Sequence, residues 1–147
     1  MVSPDLAALA DRQEITEVCY RYGLALDNRD WAALAACFTP DADAYYAGRP
    51  PARGYQAIED ICRAALAPLS ASQHLIGNVV VRLDGDNATS TCYLQAQHVR
   101  AGTAGGDNFI IAGRYDNRLV RTPDGWRIRE LRLERIWTEG NPAVTAR

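Results

Sequence analysis

From Ala88 to Val99 the chain alternates without a break. Ala88, Ser90, Cys92, Leu94, Ala96 and His98 on the even positions are small or apolar up to the closing histidine, while Thr89, Thr91, Tyr93, Gln95 and Gln97 on the odd ones are mostly polar. A period of two is that of a strand with one buried face, and a slip of one residue would turn that face to water. The run therefore fixes a sheet and its register. Its inward face is floored by Ser, Cys and Ala, too small to fill the space above them, so His98 at its end is expected to border a cavity rather than plug a core.

Periodicity sorts the remainder into helices first and strands afterwards. Ser3-Pro4-Asp5 reads as a helix cap, and Ile15, Cys19, Tyr22 and Leu26 recur at helical spacing, with Gly23 weakening the last turn. Asp27-Asn28-Arg29-Asp30 is a polar break whose last Asp caps a second helix, Trp31 to Phe38, ended by Thr39-Pro40-Asp41. A short extended piece, Ala42 to Ala47, and a loop, Arg49 to Gly54, precede a third helix from Tyr55 to Leu66, stopped by Pro68. Strands are predicted over His74–Leu83, Ala88–Arg100, Asn108–Arg121 and Trp126–Trp137, separated by Asp84-Gly85-Asp86-Asn87, by the Gly-rich Ala101–Asp107, and by Thr122-Pro123-Asp124-Gly125. The tail Glu139–Arg147 reads as loosely held. The order is α+β, with helices covering one face of a curved antiparallel meander that has an open mouth.

Composition bounds the function. With 147 residues, 48% hydrophobic and 23% charged, the span 1–147 fits one domain, and a domain of this size buries roughly 68–70% of its unfolded surface, enough for a core and a pocket together. The net charge is −2 and the arginines are scattered among acids, so nucleic acid is not an expected partner. Met1-Val2-Ser3-Pro4-Asp5-Leu6 has neither a basic nor an apolar leader region, and no apolar run approaches the roughly 18 residues that span a bilayer; no membrane partner and a cytoplasmic location are expected. Cys19, Cys37, Cys62 and Cys92 lack metal-site spacing and sit in apolar segments, as reduced core thiols do.

Only two histidines are present, His74 in Ser72-Gln73-His74-Leu75-Ile76-Gly77-Asn78 and His98, and imidazole is the side chain that exchanges protons near neutrality. Two His with Asp27 or Asp116 have no metal-ligand spacing, and Gly-x-Gly-x-x-Gly, Walker and Gly-x-Ser-x-Gly motifs are missing. Neither a metal nor an organic cofactor is expected.

Four stretches carry a family resemblance: Tyr22-Gly23-Leu24-Ala25-Leu26-Asp27-Asn28-Arg29-Asp30-Trp31, Gln73-His74-Leu75-Ile76-Gly77-Asn78, Gln97-His98 and Asp124-Gly125-Trp126-Arg127-Ile128. With them the chain, from about Asp11 to Glu139, resembles the SnoaL-like branch of the nuclear-transport-factor-2 (NTF2-like) superfamily and, in motif, scytalone dehydratase. The resemblance implies a cone-shaped curved antiparallel or mixed sheet wrapped around N-terminal helices, a cystatin-like α+β barrel. It also implies a deep apolar pocket for a small apolar or aromatic-like substrate, and a homodimer or higher homo-oligomer.

The same resemblance implies site residues. Asp27, Tyr46, His74 and His98 match a catalytic Asp, a substrate-activating Tyr and two His of scytalone dehydratase. Asp27 and His74 also match the dyad of the hexachlorocyclohexane dehydrochlorinases, and Tyr22 with Asp27 and His74 resembles the bile-acid dehydratase arrangement. All of these are eliminations. Leu26 stands where the fungal dehydratase has a second Tyr, and Arg114 and Asp116 stand where it has Ser and Asn, so the implied substrate is not scytalone.

An elimination next to a carbonyl needs a neutral base, an acid for the leaving oxygen and a donor for the enolate. Asp27 would orient His74 as the base, His98 would protonate the leaving group, and Tyr22 or Tyr46 would donate to the enolate. Ideal helical geometry sets Tyr22 and Asp27 about 140° apart, so their joint use requires the helix to loosen after Gly23. Trp31, Arg114 and Asp116 are candidate substrate contacts, with Arg129 and Arg132, which either bind an anionic group or pair with Glu130 and Glu134. The reading is a cofactor-independent lyase acting on a small cyclic or polyketide- or steroid-like hydroxy-ketone. The alternatives are a ketosteroid-isomerase- or cyclase-type enzyme, and a noncatalytic ligand-binding protein or small subunit like those of ring-hydroxylating dioxygenases.

Overall fold

The computed structural model describes residues 3–146; Met1, Val2 and Arg147, the ends of the span read as one domain, lie outside the described residues. Helix α1, Pro4–Asp27, starts where the Ser3 hydroxyl accepts the Leu6 amide at 3.2 Å. It buries Ile15, Val18, Cys19, Tyr22, Ala25 and Leu26, the stripe that its periodicity predicts. Asp30 caps α2 by accepting the Ala33 amide at 3.0 Å, but α2 is only Trp31–Ala35. Phe38 and the Thr39-Pro40-Asp41 expected to end it instead enter strand β1, Phe38–Tyr45. Pro40 is tolerated there because it falls between Phe38 and Asp43, where the register with the neighbouring strand shifts. The expected loop contains a two-residue strand β2, Ala52–Arg53, and α3 runs over Tyr55–Leu66 as its spacing predicts.

Four long strands follow: β3 Ala71–Asp84, β4 Asn87–Val99, β5 Asn108–Thr122 and β6 Gly125–Gly140. They join β1 and β2 in one six-stranded sheet of order β2-β1-β6-β5-β4-β3. Among the described residues only the β1–β6 pairing is parallel, because a long crossover connects those strands whereas turns connect the others. The sheet is curved, mixed and unclosed, so the fold is a cone with two sheet edges rather than a sealed barrel. Its concave face carries the even residues of β4 and the odd residues Phe109, Ile111, Tyr115 and Leu119 of β5, packed with α1 and α3 into one core.

Strand β3 is irregular in a way that serves the site. A register shift between Gly77 and Val80, with Asn78 at φ 50°, moves the inward parity from Ser72, His74 and Ile76 to Val79, Val81 and Leu83. One strand thereby presents polar groups at its start and a Val-rich core face at its end. Of the tail Glu139–Arg147 read as loose, Glu139 and Gly140 belong to β6 and the described residues after them are docked. Val144 in the short 3-10 turn Pro142–Thr145 is fully buried, and the Asn141 side-chain amide donates to the Ala104 and Gly106 carbonyls at 3.0 and 2.8 Å. All four cysteines are buried and free. No described helix is long and apolar enough to cross a membrane.

Candidate active site

Asp27 is the last residue of α1, and its carboxylate is met by three donors from the first turns of β3. The His74 ring Nδ1 donates to Oδ1 at 2.7 Å, the His74 backbone amide to Oδ2 at 2.7 Å, and the Ser72 hydroxyl to Oδ1 at 3.0 Å. Arg29, held at φ 54° just past the helix end, donates to the Ser72 oxygen at 2.8 Å and to the Leu26 carbonyl at 2.7 Å. Burial would raise the Asp27 carboxyl, but the hydrogen bonds from His74 and Ser72 outweigh it and hold the group below the usual carboxylate range. With Nδ1 committed to a carboxylate, the neutral His74 ring keeps a lone pair on Nε2.

Tyr22 and Asp27 do not need a loosened helix. Tyr22 points into the cavity while Asp27 stands behind His74 and touches the cavity only through it. Their roughly 140° separation is the geometry this division requires. Gly23 lets the strand come close: a Cβ there would stand 3.2 Å from Ile76 Cγ1 and 3.4 Å from His74 Cβ.

The cavity, about 140 Å³, is walled by Leu26, Ile61, Cys62, Leu66, Ile111 and Leu133, with His74 and His98 on one side and Tyr22, Tyr46 and Tyr115 among its polar groups. The two imidazole rings are 6.3 Å apart. Burial first, and then the neighbouring His74, lower the His98 pKa, and its Nδ1 faces the Phe109 carbonyl at 3.3 Å. A carbonyl only accepts, so Nδ1 carries a proton, and in the neutral ring that burial favours the lone pair is on Nε2. In that form Nε2 is an acceptor, whereas the acid role expected of His98 requires the imidazolium, which burial disfavours.

The Tyr22 and Tyr46 hydroxyls lie 3.0 Å apart, and Tyr46 reaches Cys62 Sγ at 3.5 Å. Burial pushes both phenols well above their ordinary pKa and raises Tyr115 too. They remain proton donors throughout the neutral range. Tyr115 was not anticipated, although its signal was present. Alternation in β5 turns either Tyr115 or the pair Arg114 and Asp116 toward the helices, and aromatic bulk decides for Tyr115.

The candidate substrate contacts lie elsewhere. Arg114 is on the opposite sheet face, paired with Asp116 at 3.1 Å and Glu134 at 2.9 Å. Arg132 pairs with Glu130 at 2.8 Å and stacks on Tyr45 at 3.9 Å. Arg129 lines a broad charged groove of about 710 Å³ that shares no residue with the cavity. Trp31 packs under Arg63, 4.5 Å from its ring centre. Arg49, Arg135 and Thr145 line the cavity in their place. Among the described residues no three His, Cys, Asp or Glu side chains converge at metal-binding range.

Comparison with known proteins agrees with this architecture. Residues 7–132 match the model of the SnoaL-like domain. The chain is 36% identical over 125 residues to an uncharacterized protein of Mycobacterium tuberculosis, covering 84% of each chain. It is 31% identical over 143 residues to the terrestric acid biosynthesis cluster protein E of Penicillium crustosum, covering 93% of this chain and 90% of that one. Among solved structures, the Kfla4162 protein of Kribbella flavida superposes with a TM-score of 0.86 at 31% identity, covering 95% and 99% of the two chains. An NTF2-like superfamily protein of Salmonella enterica gives 0.80 at 20% identity, with 88% and 94% covered. The hexachlorocyclohexane dehydrochlorinase LinA-type3 of Novosphingobium barchaimii gives 0.83 at 18% identity, with 94% of each covered. The chain belongs to the SnoaL-like domain family and has the NTF2-like fold.

Proposed function

We propose that this protein is a cofactor-independent lyase that eliminates water, or an equivalent leaving group, from a small cyclic hydroxy-ketone. The observation that carries the reading is the Asp27–His74 contact: a 2.7 Å bond that fixes the tautomer of a buried imidazole and leaves Nε2 as base. Nε2 takes the acidic proton beside the carbonyl. Charge moves to the carbonyl oxygen, which accepts from the Tyr22–Tyr46 pair. With Tyr22 donating to Tyr46 and the Cys62 thiol donating to the same oxygen, the proton of Tyr46, less buried than Tyr22, is left to offer. The enolate pair then expels the β-hydroxyl, which recovers the proton from the His74 imidazolium, giving an enone and water. Asp27 stabilises that imidazolium, and His98 Nε2 accepts from a substrate hydroxyl to orient it.

The fold also carries a dehydrochlorinase, which accords with elimination, and a relative belongs to a fungal biosynthesis cluster. The test is a panel of cyclic β-hydroxy-ketones followed by mass loss of water. A wild-type enzyme that forms enone, with His74→Ala inactive and folded, supports the reading. Turnover that shifts a double bond without loss of mass points to an isomerase.

A further inference from the structure

The opening of the cavity carries a charge that the elimination does not use. Ala47, Arg49, Ile61 and Arg135 line both the cavity and an open hollow of about 710 Å³ beside it, so two guanidiniums stand at the boundary. Arg135 is solvent-exposed, and among the described residues its side chain has no hydrogen bond or ion pair. Three arginines of β5 and β6 are neutralised by ion pairs, Arg132 by Glu130, Arg114 by Asp116 and Glu134, and Arg121 by Asp11 and Asp86. Of the nearby carboxylates, Glu59 is neutralised by Arg63, whereas Asp60, bonded to a neutral amide, keeps its charge. Asp60 accepts from Gln56 at 2.9 Å, and Glu59 pairs with Arg63 at 2.7 Å. The cavity boundary thus carries the unpaired Arg135 guanidinium on a chain whose net charge is −2, and Arg135 is among the charges that disfavour protonation of His98.

The size of the interior sets what can sit behind that rim. A cavity of about 140 Å³ is comparable to an engineered void of about 150 Å³ that takes up benzene. One six-membered ring fills it, and a substituent on that ring projects to the boundary. A guanidinium there offers paired donors matched to a planar anion. We infer that the substrate is a single-ring hydroxy-ketone carrying a carboxylate, which Arg135 binds at the cavity mouth. The ring and ketone rest on the lyase reading above; the carboxylate rests on Arg135.

The probes are 3-hydroxybenzoate and 3-hydroxybenzamide, alike in shape and different in charge, titrated into the full chain by calorimetry. The wild type is expected to bind the carboxylate about tenfold more tightly at low ionic strength, as one charge-assisted contact gives, with the advantage shrinking in salt. Arg135→Gln brings the two probes to parity, Arg135→Lys keeps part of the preference, and the amide binds all three proteins alike. Parity in the wild type, a preference that survives Arg135→Gln, or no binding of the carboxylate overturns the inference. Binding is read at equilibrium without turnover, so this result is separate from the loss of elimination in His74→Ala.

Discussion

His74 gives both its ring Nδ1 and its backbone amide to the two oxygens of Asp27, each at 2.7 Å. The side-chain bond sets the tautomer and the main-chain bond sets where the strand sits relative to the helix end. A change at Asp27 therefore separates chemistry from architecture. Asp27→Asn keeps the shape but can offer an amide N–H to Nδ1 and so move the ring proton to Nε2. We expect kcat to fall by a factor on the order of 10² to 10⁴, the range of a general base, with KM little changed. Steady-state kinetics on a verified substrate checks it, and an unchanged kcat would remove the dyad from the mechanism.

His98 predicts a pH dependence of stability. Its folded pKa lies below the ordinary value, chiefly through burial, so the unfolded chain takes up the proton first as pH falls. The stabilisation is therefore present above the unfolded value of about 6.5 and is lost as pH drops below it toward the folded pKa. Asp27 adds a second loss in the same direction at lower pH, because its folded pKa is depressed below the unfolded value. Thermal melts from pH 7.5 to 5 should show a falling Tm, with a flatter profile in His98→Gln. A Tm that rises on acidification would contradict the neutral Nδ1–H assignment.

The hydroxyl chain predicts an order of effects. If Tyr46 is the terminal donor and Tyr22 its support, Tyr46→Phe should lower kcat by roughly 10² to 10³, the usual cost of one oxyanion donor. Tyr22→Phe should cost less, and neither should alter the binding of an apolar ring. The reverse order would make Tyr22 the donor.

Legibility in the sequence followed physical range. Alternation in β4 and helical spacing in α1 and α3 are local periodicities set by burial of one face, and both match the structure. The short α2 and the capture of Pro40 into β1 were hidden, because the parallel pairing with β6 spans most of the chain. The same range separates the site residues. Asp27 and His74 were legible through motif, whereas Ser72 and Arg29 act through contacts created only when β3 closes on the helix end. Arg114 and Asp116 were misplaced by reading motif position without strand parity.

The oligomer implied by the resemblance has a face that suits it. Leu75, Gln95, Ala112 and Trp137 follow one another across β3, β4, β5 and β6, and Leu75, Gln95 and Trp137 are exposed around a buried Ala112. We propose that this row meets its copy in a homodimer. Light scattering should give a dimer for the wild type and a monomer for Trp137→Glu, with the ring-binding cavity retained because this row faces away from it. A monomeric wild type would dismiss the proposal.

Gly23 tests whether helix and strand must touch for the dyad to form. Adding one carbon at this position meets Ile76 Cγ1 at 3.2 Å and His74 Cβ at 3.4 Å, a crowding that a shift of a few tenths of an ångström relieves. Ala also improves helix propensity by about 1 kcal/mol, so Gly23→Ala should stay within about 1 kcal/mol of the wild type. A branched side chain cannot be absorbed that way. Gly23→Val should lose roughly 1–3 kcal/mol, the usual cost of overpacking, and, by pushing β3 off α1, lengthen the Asp27–His74 bond. Denaturant melts give the stability, and the proton resonance of His74 Nδ1–H reports the bond directly. Activity in Gly23→Val should fall further than in an equally destabilised variant remote from the site. Equal losses in the two would mean that the Asp27–His74 spacing does not depend on this contact.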